Sequence, residues 1–211
     1  EILEERSLRK RIKTCGTIRD KVSKKVKSQY EENPYPRWKF ENFNKNKTLP
    51  AISIVNIGIK PNIINNTWGS NSINILIAGC GTGKHIIQSQ GYRNAKITAI
   101  DLSSKRLAYA PRKLNEYDMR NVDLIQMDVL DVEKLNKKFD IIECSGVLHH
   151  MKEPTTGLNS ILKVLKTKGF IKLGLYSDIA RKEIVSARNY IYENNISSDN
   201  NGIRSFRRDI L

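Results

Sequence analysis

A glycine-rich segment near the middle of the chain has the residue types and spacing of a ligand-binding loop. It reads Gly79-Cys80-Gly81-Thr82-Gly83 and follows a short apolar run. Glycines lack a Cβ, so they allow a tight turn and a close approach of the backbone to a ligand. A phosphate-binding P-loop is excluded, because Ala78 stands in place of its first glycine and His85 in place of its Ser or Thr. A dinucleotide fingerprint fits poorly because the third glycine comes one residue early, and a turn that serves only structure stays open.

Two acidic residues follow the next two predicted strands. Asp101 comes about twenty residues after the loop, where a carboxylate can accept both hydroxyls of a ribose. Asp101 could instead cap the following helix, but Ser103 and Ser104 already offer caps. Asp128 could accept a hydrogen bond from an adenine amino group or serve only as a turn residue. Two acids at successive strand ends, in register with the glycine loop, favour a binding site over coincidence.

Apolar runs predict the elements that would position these residues. The predicted strands are 73–78, 96–101, 122–126, 139–144 and 170–175. Helices are predicted to begin near Lys84, over 179–192 and, most clearly, over 156–166, with Gly169 as the stop signal. The apolar stripe of that clearest helix consists of Leu158, Ile161, Leu162 and Leu165. Strands that alternate with helices predict an α/β fold with a doubly wound, mostly parallel sheet, whose ligand lies beyond the carboxyl ends of the strands.

The N-terminal part of the chain is predicted to be a helical extension. Apolar residues at spacings of three or four predict one amphipathic helix over residues 1–28. They are Ile12, Cys15, Ile18, Val22 and Val26. Pro34 and Pro36 interrupt any helix that follows, and a short helix is predicted before Gly58. We therefore divide the chain into an extension at 1–72 and a domain at 73–211 that carries the glycine loop.

With these residues in place, segment 73–176 resembles the class I S-adenosylmethionine-dependent methyltransferases, especially their type 11/12 branch. The matching stretches are 75–83, 97–110, 126–130, 139–151 and 158–175. The resemblance implies a Rossmann-like fold, S-adenosyl-L-methionine as cofactor and methyl transfer as the reaction.

The resemblance also implies roles for individual residues. Gly79, Gly81 and Gly83, with Cys80 between them, would lie against the methionine part of the cofactor. Asp101 would bind the ribose, Leu102 would lie against the adenine, and Asp128 with Val129 would lie at the adenine edge. The segment 145–150, which begins with Ser145, would flank the methyl sulfonium and the mouth of the substrate site.

The chain departs from the family pattern at several points. Such enzymes usually carry an acid two residues before the first glycine, where this chain has Ile77, so anchoring of the cofactor amino group must come from elsewhere. The segments 29–38 and 77–83 together resemble bacterial methyltransferase domains that often follow tetratricopeptide repeats. The class I fold normally closes with two more strands, and residues 177–211 do not offer candidates for both. We therefore expect a C-terminally incomplete fragment of a longer protein.

His149 and His150 are candidate catalytic bases because their pKa values lie near neutrality. A role in packing against the cofactor or the next helix is the alternative. The aromatic and proline-rich segment 30–38 is interpreted either as a lid with Tyr30 and Tyr35 inside or as an aromatic anchor for the N-terminal helix.

Composition constrains the partners. The net charge of +15 is compatible with nucleic-acid binding, since Lys and Arg bind phosphates. Nucleic acid is nevertheless the less favoured partner, because AT-rich codon usage also produces a chain rich in Lys, Asn and Ile. No Asn/Asp-Pro-Pro-Tyr motif of base-amino methyltransferases follows the fourth strand. The three scattered cysteines predict no zinc site and favour a cytoplasmic protein, and no apolar run is long enough for a membrane span. A small-molecule methyl acceptor is favoured over an RNA-binding or RNA-methylating domain and over a catalytically silent interaction module.

Overall fold

The computed structural model of the protein describes residues 2–42, 48–64 and 72–210. The α-helices are α1 Ile2–Arg9, α2 Lys21–Glu32, α3 Ala51–Gly58, α4 Lys84–Ser89, α5 Ser104–Glu116, α6 Pro154–Lys163, α7 Lys182–Glu193 and α8 Asn200–Ile210. The strands are β1 Lys13–Thr14, β2 Ile73–Ala78, β3 Ala95–Asp101, β4 Val122–Gln126, β5 Phe139–Ser145 and β6 Leu165–Gly174. Short 3-10 helices lie at Val129–Leu135, Leu148–His150 and Ile179–Arg181.

Six strands of the described chain form one sheet in the order β1-β4-β3-β2-β5-β6. Every neighbouring pair is parallel. The chain moves from β2 outward through β3 and β4, and then crosses to the other side of β2 for β5 and β6. The strand order therefore reverses between β2 and β5, which is where ligands bind in open sheets of this type. The predicted doubly wound parallel fold is confirmed.

The sheet is covered on both faces, as its apolar strands require. One face presents Ile75 and Ile77 of β2 to a core that includes Ile86 and Ile87 of α4. The other face presents alternate residues of the same strands to a second core that includes Ile161 of α6. Two cores hold β2 rigidly in the centre, and the glycine loop leaves from its carboxyl end.

The predicted single helix over residues 1–28 is wrong. Helix α1 ends at Arg9, and Lys13 and Thr14 pair in parallel with Ile125 and Gln126 of β4. Gly16 then turns the chain with a φ of 77°. The free edge of β4 offers backbone hydrogen bonds to this segment, and these outweigh the helical periodicity of its apolar residues.

Helix α2 begins after this turn with a separate cap. The Asp20 carboxylate accepts a hydrogen bond from the Ser23 N–H at 2.8 Å. This donor is the largest cause that lowers the pKa of Asp20. The N-terminal extension is therefore helical at 2–9 and 21–32, with an edge strand between.

The predicted helix over 156–166 is displaced. Helix α6 starts at Pro154, which suits the first helical position, and ends at Lys163. Leu165 and Lys166 belong to β6 and Gly169 lies inside that strand, so Gly169 is not the predicted stop signal. Leu165 pairs with Phe139 of β5, and this pairing decides the boundary.

The chain divides into two compact units, residues 1–174 and 175–211. The second unit contains α7 and α8, and its described residues contain no strand. Its first helix begins at Lys182 after a short 3-10 turn, later than the predicted start at 179. The boundary at residue 72 stays a prediction. Within the described ranges, no helix combines the length and the apolar character that crossing a membrane requires.

Candidate functional site

The glycine loop turns sharply at the carboxyl end of β2. Gly79, Gly81 and Gly83 have φ values of 79°, 58° and 92°. Residues that carry a side chain rarely adopt this region of backbone conformation. The N–H groups of Gly79 and Cys80 both donate to the Ile100 carbonyl, at 2.8 and 3.0 Å. The loop is thereby tied to the end of β3, and α4 starts directly after Gly83.

Asp101 lies against this loop. Its side chain is buried, Oδ2 accepts a hydrogen bond from the Gly81 N–H at 2.9 Å, and Oδ1 accepts one from the Ser103 N–H at 2.9 Å. Each carboxylate oxygen has a second lone pair, so the group can also accept two hydroxyls. Ser103, not Asp101, caps α5 through the Arg106 N–H, as predicted. The arrangement fits a sugar with adjacent hydroxyl groups.

Arg106 lies beside this carboxylate. Its Nη1 is 3.6 Å from Asp101 Oδ2, and its guanidinium lies 4.0 Å from the centre of the Tyr30 ring. A Cβ added at Gly81 would come within 2.3 Å of Arg106 Nη2. Arg106 was not identified from the sequence, although it occupies the first turn of the helix after Asp101.

Glu31 joins helix α2 to the N-terminus of α5. Its Oε1 accepts hydrogen bonds from Ser104 Oγ at 3.1 Å and from the Lys105 N–H at 3.3 Å, and Arg9 pairs with Oε2 at 2.5 Å. Burial raises the pKa of Glu31, but the Lys105 N–H and the Arg9 charge outweigh it and lower that pKa. The extension therefore contacts the helix that begins next to Asp101.

Asp128 lies at the end of β4, one strand beyond Asp101. Its side chain is buried, and Oδ1 accepts from the Leu130 N–H at 3.1 Å, so it caps the 3-10 helix that follows. The Met127 N–H donates to the Asp101 carbonyl at 3.0 Å, which joins the two strand ends. Leu102 is half-buried and Val129 is buried. The predicted adenine-binding residues therefore lie at one edge of the sheet, while the contact with adenine itself stays a prediction.

The segment after β5 lies on the other side of the glycine loop. Ser145 ends β5 and packs against Gly174 of β6. Val147 packs so closely over the loop that a Cβ added at Gly79 would lie 2.1 Å from Val147 Cγ2. The His149 and His150 rings are 4.3 Å apart, with His149 half-buried and His150 exposed. Both histidines lie on a short 3-10 helix, and their role as bases stays a prediction.

The aromatic segment 30–38 braces the glycine loop. The buried Trp38 donates its Nε1–H to the Thr82 carbonyl at 3.3 Å, and Thr82 Oγ1 donates to the Pro36 carbonyl at 2.6 Å. Tyr30 contacts Arg106, but Tyr35 is 72% exposed, so the prediction that Tyr35 lies inside is wrong. These contacts support the anchor interpretation for Trp38, because its ring packs within the core of the sheet.

A buried polar cluster under α4 was missed from the sequence. Glu143 of β5 is 2% exposed; its Oε1 accepts from Tyr92 Oη at 2.8 Å, and its Oε2 accepts from Ser89 Oγ at 2.7 Å and from His85 Nε2 at 2.6 Å. Burial raises the pKa of Glu143, but the three donors outweigh it and bring the pKa to about 2. Burial, followed by the charge of Glu143, raises the pKa of Tyr92. A glutamate inside an apolar strand was the available signal.

The two cysteines near the loop, Cys80 and Cys144, are both buried. Burial, then the charge of Asp101, raises the pKa of Cys80 well above its usual value. Burial raises the pKa of Cys144 to about 11. Since the thiolate is the nucleophile, neither cysteine is suited to nucleophilic chemistry.

Comparisons with known proteins point to one kind of domain. Residues 75–169 match the family described as "Methyltransferase domain". The uncharacterized protein syc1184_c of Synechococcus sp. is 29% identical over 83% of this chain and 42% of its own length. The ubiquinone biosynthesis O-methyltransferase of Nitrosomonas europaea is 29% identical over 49% of this chain and 43% of its own. The chain thus spans about half the length, or less, of these curated relatives.

Solved structures show the same fold. PKMT2 from Rickettsia typhi in complex with AdoHcy superimposes with a TM-score of 0.50 at 21% identity, over 57% of this chain and 24% of that protein. The segment 75–169, which carries the glycine loop, Asp101 and Asp128, is therefore similar to methyltransferase domains. The parallel sheet that holds it matches the Rossmann-like methyltransferase fold.

Proposed function

We propose that this chain transfers a methyl group from S-adenosylmethionine to a small-molecule acceptor. The observation that carries the proposal is the buried Asp101 carboxylate at the end of β3, which accepts a hydrogen bond from the Gly81 N–H of the glycine loop. That loop leaves β2, the strand beside which the strand order reverses. The match of residues 75–169 to methyltransferase domains supports the same reading.

The residues present fit the cofactor. The Asp101 carboxylate suits the two ribose hydroxyls, and three glycines with positive φ keep Cβ atoms away from the ligand path. Asp128, Leu102 and Val129 lie next along the strand ends, where the adenine would bind. The side chains of Arg106 and Val147 end over Gly81 and Gly79, in the path of the ligand. A change of rotamer can move both side chains aside.

The cofactor supplies an activated methyl group, so the protein's task is to bind and orient. Asp101 would hold the nucleoside, and the glycine loop would lie against the methionine part. The segment 145–150 lines the mouth where an acceptor would enter. Positioning of the acceptor is the main catalytic contribution expected of such a site.

His149 and His150 are proposed as bases for an acceptor whose hydroxyl or amine must lose a proton. His149→Ala and His150→Ala should be compared under single turnover with a methyl acceptor. Loss of the methyl-transfer rate in one variant, with unchanged cofactor affinity, would support that histidine. Unchanged transfer in both variants would exclude both as bases.

The cofactor proposal is tested by calorimetry with S-adenosylhomocysteine. Asp101→Asn should weaken binding at least about tenfold, because it removes charge-assisted hydrogen bonds to the ribose. The matched control is Asp123→Asn, an exposed aspartate on β4, which should leave binding unchanged. A wild-type chain that does not bind S-adenosylhomocysteine at about 1 mM, a weak affinity by any standard, would overturn the proposal.

The other candidates are less favoured. The similarity of residues 75–169 to methyltransferase domains favours methyl transfer over a module that only binds RNA. Binding of RNA with a steep salt dependence would bring the basic alternative back. The cytoplasmic location and the association with upstream tetratricopeptide repeats stay predictions.

A further inference from the structure

The cluster around Glu143 lies close to the glycine loop. In the parallel pairing of β2 with β5, Ile77 is opposite Glu143. Paired residues of neighbouring strands project from the same face of a sheet, so the Glu143 side chain lies beside Ile77, two residues before the glycine loop. His85, which contacts Glu143, follows the loop by two residues. The cluster therefore lies next to Ile77, which precedes the loop, and includes His85, which follows it.

The Glu143 carboxylate carries a negative charge at this position. Three donors surround the carboxylate, which favours the ionised form although the group is 2% exposed. The nearest lysine, Lys172, approaches Oε1 at 3.8 Å but is 67% exposed, so solvent screens its charge. The other side chains described in contact with the carboxylate are Ser89 and Tyr92, which are neutral donors, and His85, which offsets the charge only in its protonated form.

The ligand proposed for the loop carries a positive ammonium at its amino-acid end. Asp101, on the β3 side of β2, is assigned to the ribose in the proposed function. Toward β5, residue 77 of β2 is an isoleucine, which offers no negative charge to an ammonium. Glu143 is the buried carboxylate of the described chain on that side.

We propose that Glu143, held by His85, Ser89 and Tyr92, supplies from β5 the negative charge that positions the ammonium of the cofactor's methionine part. Glu143 is a positioning residue, since its oxygens are already occupied by the three donors and it acts through the field at the loop. The proposal rests on the proposed cofactor. A cluster that only clamps α4 to β5 is the competing explanation.

The two explanations differ in which ligands they affect. Glu143→Gln keeps the size and most hydrogen bonds but removes the charge. It should weaken the binding of S-adenosylhomocysteine at least about tenfold, because it removes a unit charge that acts on the ammonium through partly screened protein. 5′-Methylthioadenosine has the same nucleoside and sulfur but no ammonium, so its affinity should change by less than about twofold. A structural clamp would weaken both ligands together.

A second variant moves the charge to the neighbouring strand. In Ile77→Asp combined with Glu143→Gln, the carboxylate lies on β2 at the paired position, and affinity for S-adenosylhomocysteine should return to within about threefold of wild type. Thermal unfolding of each variant shows whether it folds. If the double variant does not fold, the single variant Glu143→Gln still distinguishes the two explanations, through its affinity for S-adenosylhomocysteine relative to 5′-methylthioadenosine.

The outcomes separate this inference from the proposed function. If the wild type binds neither ligand, the cofactor assignment itself fails. If the wild type binds both and Glu143→Gln binds both equally well, or loses both in parallel, the cofactor assignment stands and the role of Glu143 is overturned. Selective loss of S-adenosylhomocysteine supports the role of Glu143.

Discussion

Two buried carboxylates flank the central strand, and they are held in different ways. Asp101, on the β3 side, accepts hydrogen bonds from the backbone N–H groups of Gly81 and Ser103. Glu143, on the β5 side, is held by the side chains of His85, Ser89 and Tyr92. The first arrangement depends on the shape of a loop, whereas the second depends on side chains from separate elements. The Asp101 side should therefore respond most to changes of backbone conformation, and the Glu143 side to protonation.

The largest effect is expected at the backbone-held side. Gly83→Ala puts a Cβ at a φ of 92° and within 2.8 Å of Ala110 Cβ. Backbone strain and overpacking together should lower the free energy of unfolding by about 4 kcal/mol, as measured by urea denaturation. The control is Gly58→Ala at the end of α3, where an added Cβ meets nothing within 4 Å. A cost at Gly83 no larger than at Gly58 would mean that the loop is not rigid.

The side-chain-held side should show a pH dependence. The pKa of Glu143 is lowered from an ordinary 4.5 to about 2, so its stabilisation is present above pH 4.5 and is lost as the pH falls toward 2. Wild type should exceed Glu143→Gln in unfolding free energy by up to about 3 kcal/mol at pH 6, and the difference should vanish near pH 2.

Tyr92→Phe is the matched control for this pH dependence. It removes one hydrogen bond but keeps the titrating carboxylate, so the difference between pH 6 and low pH should persist. Urea denaturation of the three proteins at both pH values measures it. A difference between wild type and Glu143→Gln that stays constant with pH would contradict the assigned cause.

A smaller effect is expected from the contact that braces the loop. Trp38→Phe removes the hydrogen bond to the Thr82 carbonyl and should cost about 1 to 2 kcal/mol of unfolding free energy. Tyr35→Phe, at an exposed ring, should change the unfolding free energy by less than about 0.5 kcal/mol. Equal effects of the two substitutions would show that the segment 30–38 does not support the Asp101 side.

The smallest effect is a difference in thiol reactivity. The raised pKa values of Cys80 and Cys144, together with their burial, should prevent alkylation in the native protein at pH 8. The half-buried Cys15 should react first. Mass spectrometry of the alkylated protein should show one modification in native buffer and three in denaturant. Rapid labelling of Cys80 without denaturant would show that the loop opens.

The candidate site on the Asp101 side could be predicted because its signals are local. Glycines that need positive φ and an acid that ends a β-strand follow each other within one βαβ unit. The Glu143 cluster could not be predicted in this way. Ser89 and Tyr92 follow His85 by four and seven residues on and beyond α4, but Glu143 is more than fifty positions away, and only the pairing of β2 with β5 brings it to them.

The sequence by itself determined the parallel sheet, because runs of apolar residues must be buried wherever the chain places them. It also determined the glycine loop and the position of Asp101 at the end of β3. The tertiary structure alone decided that Lys13 and Thr14 become an edge strand, that α6 ends at Lys163, and which carboxylate stands beside Ile77. Periodicity describes one element at a time, whereas these outcomes depend on backbone hydrogen bonds between distant segments that compete with local preference.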